Sequence, residues 1–150
     1  MTQVMRPPEQ VRQELVLFRT CYRIEHKGLF GAPVLSLQLL VDTQSKHVNG
    51  FGRITQAVNP PLEFTTQLSG VFRELSVQNF HLTIVTASGH PLVPSPVGII
   101  PPNFQLLMAL SDDWKSGTAE YEYKINPEDP HGHWQIVRDV EVISIPCDTK

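Results

Sequence analysis

Leu35-Ser36-Leu37-Gln38-Leu39-Leu40-Val41-Asp42 is the stretch that decides the fold. Leu35, Leu37, Leu39 and Val41 alternate with Ser36, Gln38, Leu40 and Asp42. A side-chain period of two belongs to a half-buried β-strand, because successive residues of a strand point to opposite faces. Turn residues follow from Asp42 to Lys46, and an extended segment runs from Val48 to Ala57. The pair reads as a hairpin with a loop longer than the two-residue kind. Asn59-Pro60-Pro61 stops its ladder, since neither proline has an N–H to donate.

The alternation continues outward in both directions. Leu15 to Ile24 is an earlier strand. Downstream, Leu62, Phe64, Leu68 and Phe72 stand against Thr65, Gln67, Ser69 and Arg73. Phe80, Leu82 and Ile84 stand against His81, Thr83 and Val85, and Phe104, Leu106, Met108 and Leu110 repeat the pattern. Ala119, Tyr121, Tyr123 and Ile125 oppose Thr118, Glu120, Glu122 and Lys124. Trp134, Ile136, Val140 and Val142 close the series on the face opposite Gln135, Asp139 and Glu141. Gly50, Gly52 and Gly70 lie inside strands, where glycine marks a bulge, a bend or a close backbone approach.

About eight strands with turn signals between them, and no long helical period, predict an all-β chain. The expected fold is a single antiparallel β-sandwich with jelly-roll or Greek-key connections over residues 15–146. Residues 1–14 form an N-terminal segment in which Pro7 and Pro8 can open a short helix through Glu9, Val11 and Glu14. Residues 147–150 are a tail.

Composition narrows the class. A length of 150 residues suits one domain, and 41% hydrophobic residues is too many for a disordered chain. Lys and Arg number 12 against 15 Asp and Glu, a net charge of -3, which disfavours nucleic acid as a partner. No apolar run reaches the ~18 residues of a membrane-spanning helix. The first fourteen residues lack the apolar core of a secretory signal. The expected location is the cytoplasm, with export by a signal-less route left open. Cys21 and Cys147 are expected there as free thiols, a bridge between them being the alternative.

The segments Gly31 to Leu35, Val48 to Leu62 and Asp113 to Ala119 resemble a family of small bacterial proteins described as a domain of unknown function, domain of unknown function 1842. The resemblance covers the chain from about Leu15 to the last strand. It implies a bacterial source and a stand-alone globular domain, and it carries over no catalytic residue and no cofactor.

The chemistry-bearing residues are sparse. His131 and His133 alternate on an extended segment and can face one ion, but a zinc site needs three or four ligands and no further ligand has the spacing. Metal and cofactor are therefore not expected. Glu120 and Glu122 share one face of a strand at roughly 7 Å, within the range used for glycoside hydrolysis. Their face reads as solvated sheet, with Tyr121 and Tyr123 on the core side. Ser69 and Ser88 sit in no nucleophile elbow, and Gly50-Phe51-Gly52 lies in a strand rather than before a helix. Asp42, Asp112 and Asp113 are too few for a calcium loop.

The stretch from His90 to Pro102 holds five prolines with Leu92, Val93, Val97, Ile99 and Ile100 among them. Such a segment either caps the end of the fold or docks on another surface. The function expected is non-catalytic: a binding or assembly module that associates with a protein partner or with itself. A lectin-like carbohydrate module is the alternative, with Trp114, Trp134 and Tyr22 as stacking rings. A glycosidase or esterase comes third, and the catalytic set is expected to be empty.

Overall fold

The computed structural model describes residues 17–58, 61–92, 101–125 and 132–147. Eight strands run in chain order: β1 Leu17–Glu25, β2 Val34–Asp42, β3 His47–Gln56, β4 Leu62–Val77, β5 Phe80–His90, β6 Phe104–Ser111, β7 Ser116–Tyr123 and β8 Gln135–Ile145. Each pairs antiparallel with the next, and β1 also pairs with β8. The result is a closed up-and-down barrel and not the expected sandwich. Both architectures bury one face of every strand, so period two reads the same in each. What distinguishes the barrel is the pairing of the first strand with the last, which gives every strand a neighbour on both sides. The expected N-terminal helix lies outside the described residues.

The interior is filled with side chains. Leu35, Leu37, Leu39 and Val41 of β2 point inward, as do Tyr22 and Ile24 of β1 and Phe104, Leu106, Met108 and Leu110 of β6. A barrel of eight strands is about wide enough for its own side chains to occupy the middle. Strands must bend to close it, and glycines stand at tight places. A Cβ on Gly50 would run into the Gln38 carbonyl of β2, and one on Gly70 into the Thr86 carbonyl of β5. These residues let neighbouring strands approach where the sheet curls.

The two ends are closed differently. At one end lie the β2–β3, β4–β5 and β6–β7 turns. There Trp114, in the β6–β7 turn, sits edge-on between Phe18 and Phe72, with ring centroids 5.3 and 5.0 Å away. The Tyr22 hydroxyl donates to the Trp114 carbonyl at 2.7 Å. At the other end Tyr121, Tyr123, Phe64 and Phe104 stack or tilt against one another. Asn103 ties strands together there. Its N–H donates to the Gly89 carbonyl, its carbonyl accepts from the Lys124 N–H, and its Oδ1 lies 2.8 Å from the Thr66 hydroxyl.

Three sequence expectations are corrected in detail. In β8, Val137 and not Ile136 faces inward. A bulge sets Arg138 and Asp139 opposite the single residue Glu120, and the register shifts by one. Asp139 has a positive φ of 56° there. In β5 the side made of Thr83, Val85, Ala87 and Gly89 turns inward, and Phe80, Leu82 and Ile84 turn outward. Cys21 and Cys147 are joined as a disulfide and are not free thiols, because Cys147 follows β8 where it ends beside Cys21.

Candidate interaction surface

The β4–β5 hairpin is longer than its neighbours. The β3–β4 ladder ends at His47 opposite Val71, and the β5–β6 ladder begins at Leu82 opposite Ser111. Beyond those points β4 and β5 pair only with each other, up to Val77 opposite Phe80. Among the described residues no strand flanks this tip on either edge. Gln78, with φ 55°, makes the tight reversal beside Asn79.

The two faces of the tip are chemically opposite. On the outer face Leu75 lies across from Leu82, Val77 from Phe80, and Arg73 from Ile84. Phe80 is 59% exposed, Val77 53% and Leu75 49%. Val71 extends this face below the tip, and Leu107 of β6 lies one strand over, opposite Thr86. The other face is polar. Glu74 accepts from the Lys46 ammonium at 3.0 Å, and the Ser76 hydroxyl lies 2.8 Å from His81 Nδ1. The same ammonium sits 5.1 Å from the centre of the Phe72 ring. Cross-strand apolar pairs such as Leu75–Leu82 support each other, but here water covers them.

The wall made by β1 to β3 is of another kind. Arg19, Arg23, Ser36, Gln38, Asn49 and Arg53 cover most of its outer side. Arg23 pairs with Glu25 at 2.8 Å and Arg53 with Glu63 at 2.7 Å. Exposed pairs of this sort add little stability and mainly keep the wall hydrated. Leu17, Leu40 and Phe51 are its exposed apolar exceptions.

The residues singled out from the sequence are scattered. Tyr22 is fully buried, and burial pushes its phenol up to about 12, so its ring meets no solvent. Trp114, held between Phe18 and Phe72, plugs its end of the barrel. Trp134 precedes β8 at the opposite end of the barrel from Trp114. The three rings do not form one platform. Glu120 and Glu122 share the outer wall with Gln105, Leu107, Ile136 and Arg138 around a shallow depression of about 220 Å³. Glu120 lies 3.8 Å from the Arg138 guanidinium, and both side chains are more than half exposed. That wall is solvated, without the dry cleft that paired carboxylates need to share acid and base roles.

Of the proline-rich stretch, Leu92 is described and exposed, and Val93, Val97, Ile99 and Ile100 lie outside the described residues. His131 also lies outside them, and His133 is exposed. Among the described residues no three His, Cys, Asp or Glu side chains cluster closely enough to hold a metal ion. The hairpin face escaped the sequence reading. Its signal was the run of small or polar residues Thr83, Ala87 and Gly89 on the other side of β5, which suits a crowded interior.

The family model described as a domain of unknown function, DUF1842, matches residues 16–134, which takes in the whole of β1 to β7. No curated protein matches the chain.

Proposed function

This chain belongs to the domain of unknown function 1842 family, whose description assigns no activity, and we propose from its own surface that it is a non-catalytic binding and assembly module. It docks a protein partner, a second copy included, through the outer face of the β4–β5 hairpin. The observation that carries this reading is the outward turn of Phe80, Leu82 and Ile84 together with Leu75 and Val77. A contiguous apolar patch in water is costly to leave bare and marks a site for another surface. The hairpin offers both an apolar face and strand edges that no other described strand covers, which are the two ingredients of strand-mediated recognition.

The interior is apolar and the outer wall carries charges on β1, β3, β7 and β8. A barrel that spans a membrane has the reverse arrangement, with an apolar band outside. This supports a barrel bathed in water whose partner is a protein. The glycan reading has no ring platform to support it.

Sedimentation of the wild type over a range of concentrations, together with cross-linking in native lysate, tests the proposal. The wild type should self-associate or cross-link a stoichiometric partner through residues 71–84. Leu75→Asp with Phe80→Asp should abolish that association and leave the melting temperature within a few degrees. A wild type that stays monomeric and cross-links nothing through the hairpin, or a double variant that associates as the wild type does, sinks it.

A further inference from the structure

The barrel closes on a short seam. β1 and β8 pair only from Cys21 opposite Ile145 to Glu25 opposite Glu141. On its other side β1 is paired with β2 from Leu17 onward. Leu17 to Thr20 therefore reach past the end of β8. Cys21 belongs to the last pair at that end of the seam, and the disulfide ties it to Cys147, two residues past Ile145. The two Cα atoms are 5.2 Å apart, an ordinary span for such a bond. The bond closes a loop with a sequence separation of 126, almost the whole described chain.

The bond is reachable. Cys21 is only 7% exposed, but Cys147 is half-buried. Both line an outer groove of about 460 Å³ with Phe51, Leu92, Ile145 and Pro146. Arg19 and Arg23 flank Cys21 on the same side of β1 and are exposed.

We propose that the Cys21–Cys147 bond is a redox latch on the closing seam of the barrel. Oxidised, it holds the end of β8 against β1. Reduced, it lets Pro146 and Cys147 leave the groove, and the seam loosens from that end. A dithiol reductant drives the opening. Its thiolate bonds to the Cys147 sulfur, the protein S–S bond breaks, and the electron pair leaves on Cys21, which then takes a proton. The second thiol of the reductant attacks the mixed disulfide and releases Cys147 as a thiol. The protein has gained two electrons and two protons, and the reductant has become a disulfide. An oxidised dithiol reverses the exchange.

Protein purified without reductant, denatured and alkylated, should carry no adduct, and two after reduction. Hydrogen exchange is then followed in the folded wild type before and after reduction, and in Cys147→Ser. Reduction and the substitution should both speed exchange at residues 17–24 and 141–145 by more than in β3 to β6. The melting temperature should fall by roughly 10 °C, given the length of the loop released. If Cys147→Ser does not fold, reduction of the folded wild type gives the same comparison. Two alkylated thiols in the protein as isolated overturn the latch. So does a reduced protein with unchanged seam exchange, or one whose eight strands all speed up alike.

Discussion

Leu37 in β2 and Leu82 in β5 each belong to an apolar run on alternate positions, yet they face opposite ways. Leu37 is buried, whereas Leu82 lies on the outer wall. The difference is one of room. β2 faces inward opposite Gly50 and Gly52 of β3, which leave space for leucines. β5 faces inward past Thr66 and Phe104, and a Cβ on Gly89 would run into both. Across from it stands Phe72, opposite Val85. Only small side chains fit on that side, so the large apolar ones are left outside. Hydrophobicity chooses which face is buried only while the interior can hold that face.

The largest effect that separates the two walls is a truncation on each. Leu37→Ala removes a side chain from a packed interior and should cost about 2–5 kcal/mol. Phe80→Ala removes a larger side chain from an exposed face and should cost within about 0.5 kcal/mol in the unassociated protein. Urea unfolding at low protein concentration measures both. Equal losses at the two positions would break the contrast, because Phe80 would then be holding the fold together rather than waiting for a partner.

Two tyrosines sharpen the same point inside the barrel. The Tyr22 hydroxyl donates to the Trp114 carbonyl and so fixes the plug. The Tyr121 hydroxyl is buried and has no hydrogen-bond partner among the described residues. Tyr22→Phe should cost about 1 kcal/mol, and Tyr121→Phe about nothing. Tyr22 also gives alkaline stability a definite sign. Burial raises its pKa from 10.0 to about 12, so the protonated form belongs to the folded state. Its contribution is whole below pH 10.0 and is lost as the pH rises through about 12. The alkaline fall in stability should be shallower in Tyr22→Phe than in the wild type. Identical alkaline profiles would show that Tyr22 does not set the alkaline limit.

Each strand was legible because its own residues alternate, as Leu35 to Val41 do, and no distant information is needed. Closure was not legible. It depends on Cys21 meeting Ile145 across almost the whole chain, which no local pattern records. The bulge at Arg138 and Asp139 was hidden for the same reason, since Ile136 and Val137 are both apolar and only the partner strand selects between them. The disulfide was equally invisible, because two cysteines this far apart carry no spacing signal. The interaction face could have been seen in part. Glu74, Ser76 and His81 share one side of the hairpin, which is the wrong chemistry for a core and leaves Leu75, Val77 and Phe80 on the side that must then be exposed.

The smallest expected effect concerns the turns at the plugged end, where the walls again differ. Asp42 ends β2, and its carboxylate accepts from the Gln44 N–H at 3.0 Å and the Ser45 N–H at 3.3 Å. Asp113 in the β6–β7 turn accepts from the Ser111 hydroxyl at 2.6 Å and the Lys115 N–H at 3.1 Å. The Ser45 backbone bond chiefly holds the Asp42 pKa below the usual carboxylate value, and the Ser111 hydroxyl does so for Asp113. A lowered folded pKa means stability that is present above the unfolded value and lost as the pH falls through the folded one. The β4–β5 turn, Gln78-Asn79, has no carboxylate to titrate. Acid below about pH 4 should therefore loosen the β2–β3 and β6–β7 turns before the tip of the interaction hairpin. Amide exchange at falling pH, corrected for intrinsic rates, reads this directly, and Asp42→Asn with Asp113→Asn should flatten the response at their own turns. If the hairpin tip opens first, its stability comes from charges the two walls share, and the division between them does not extend to the turns.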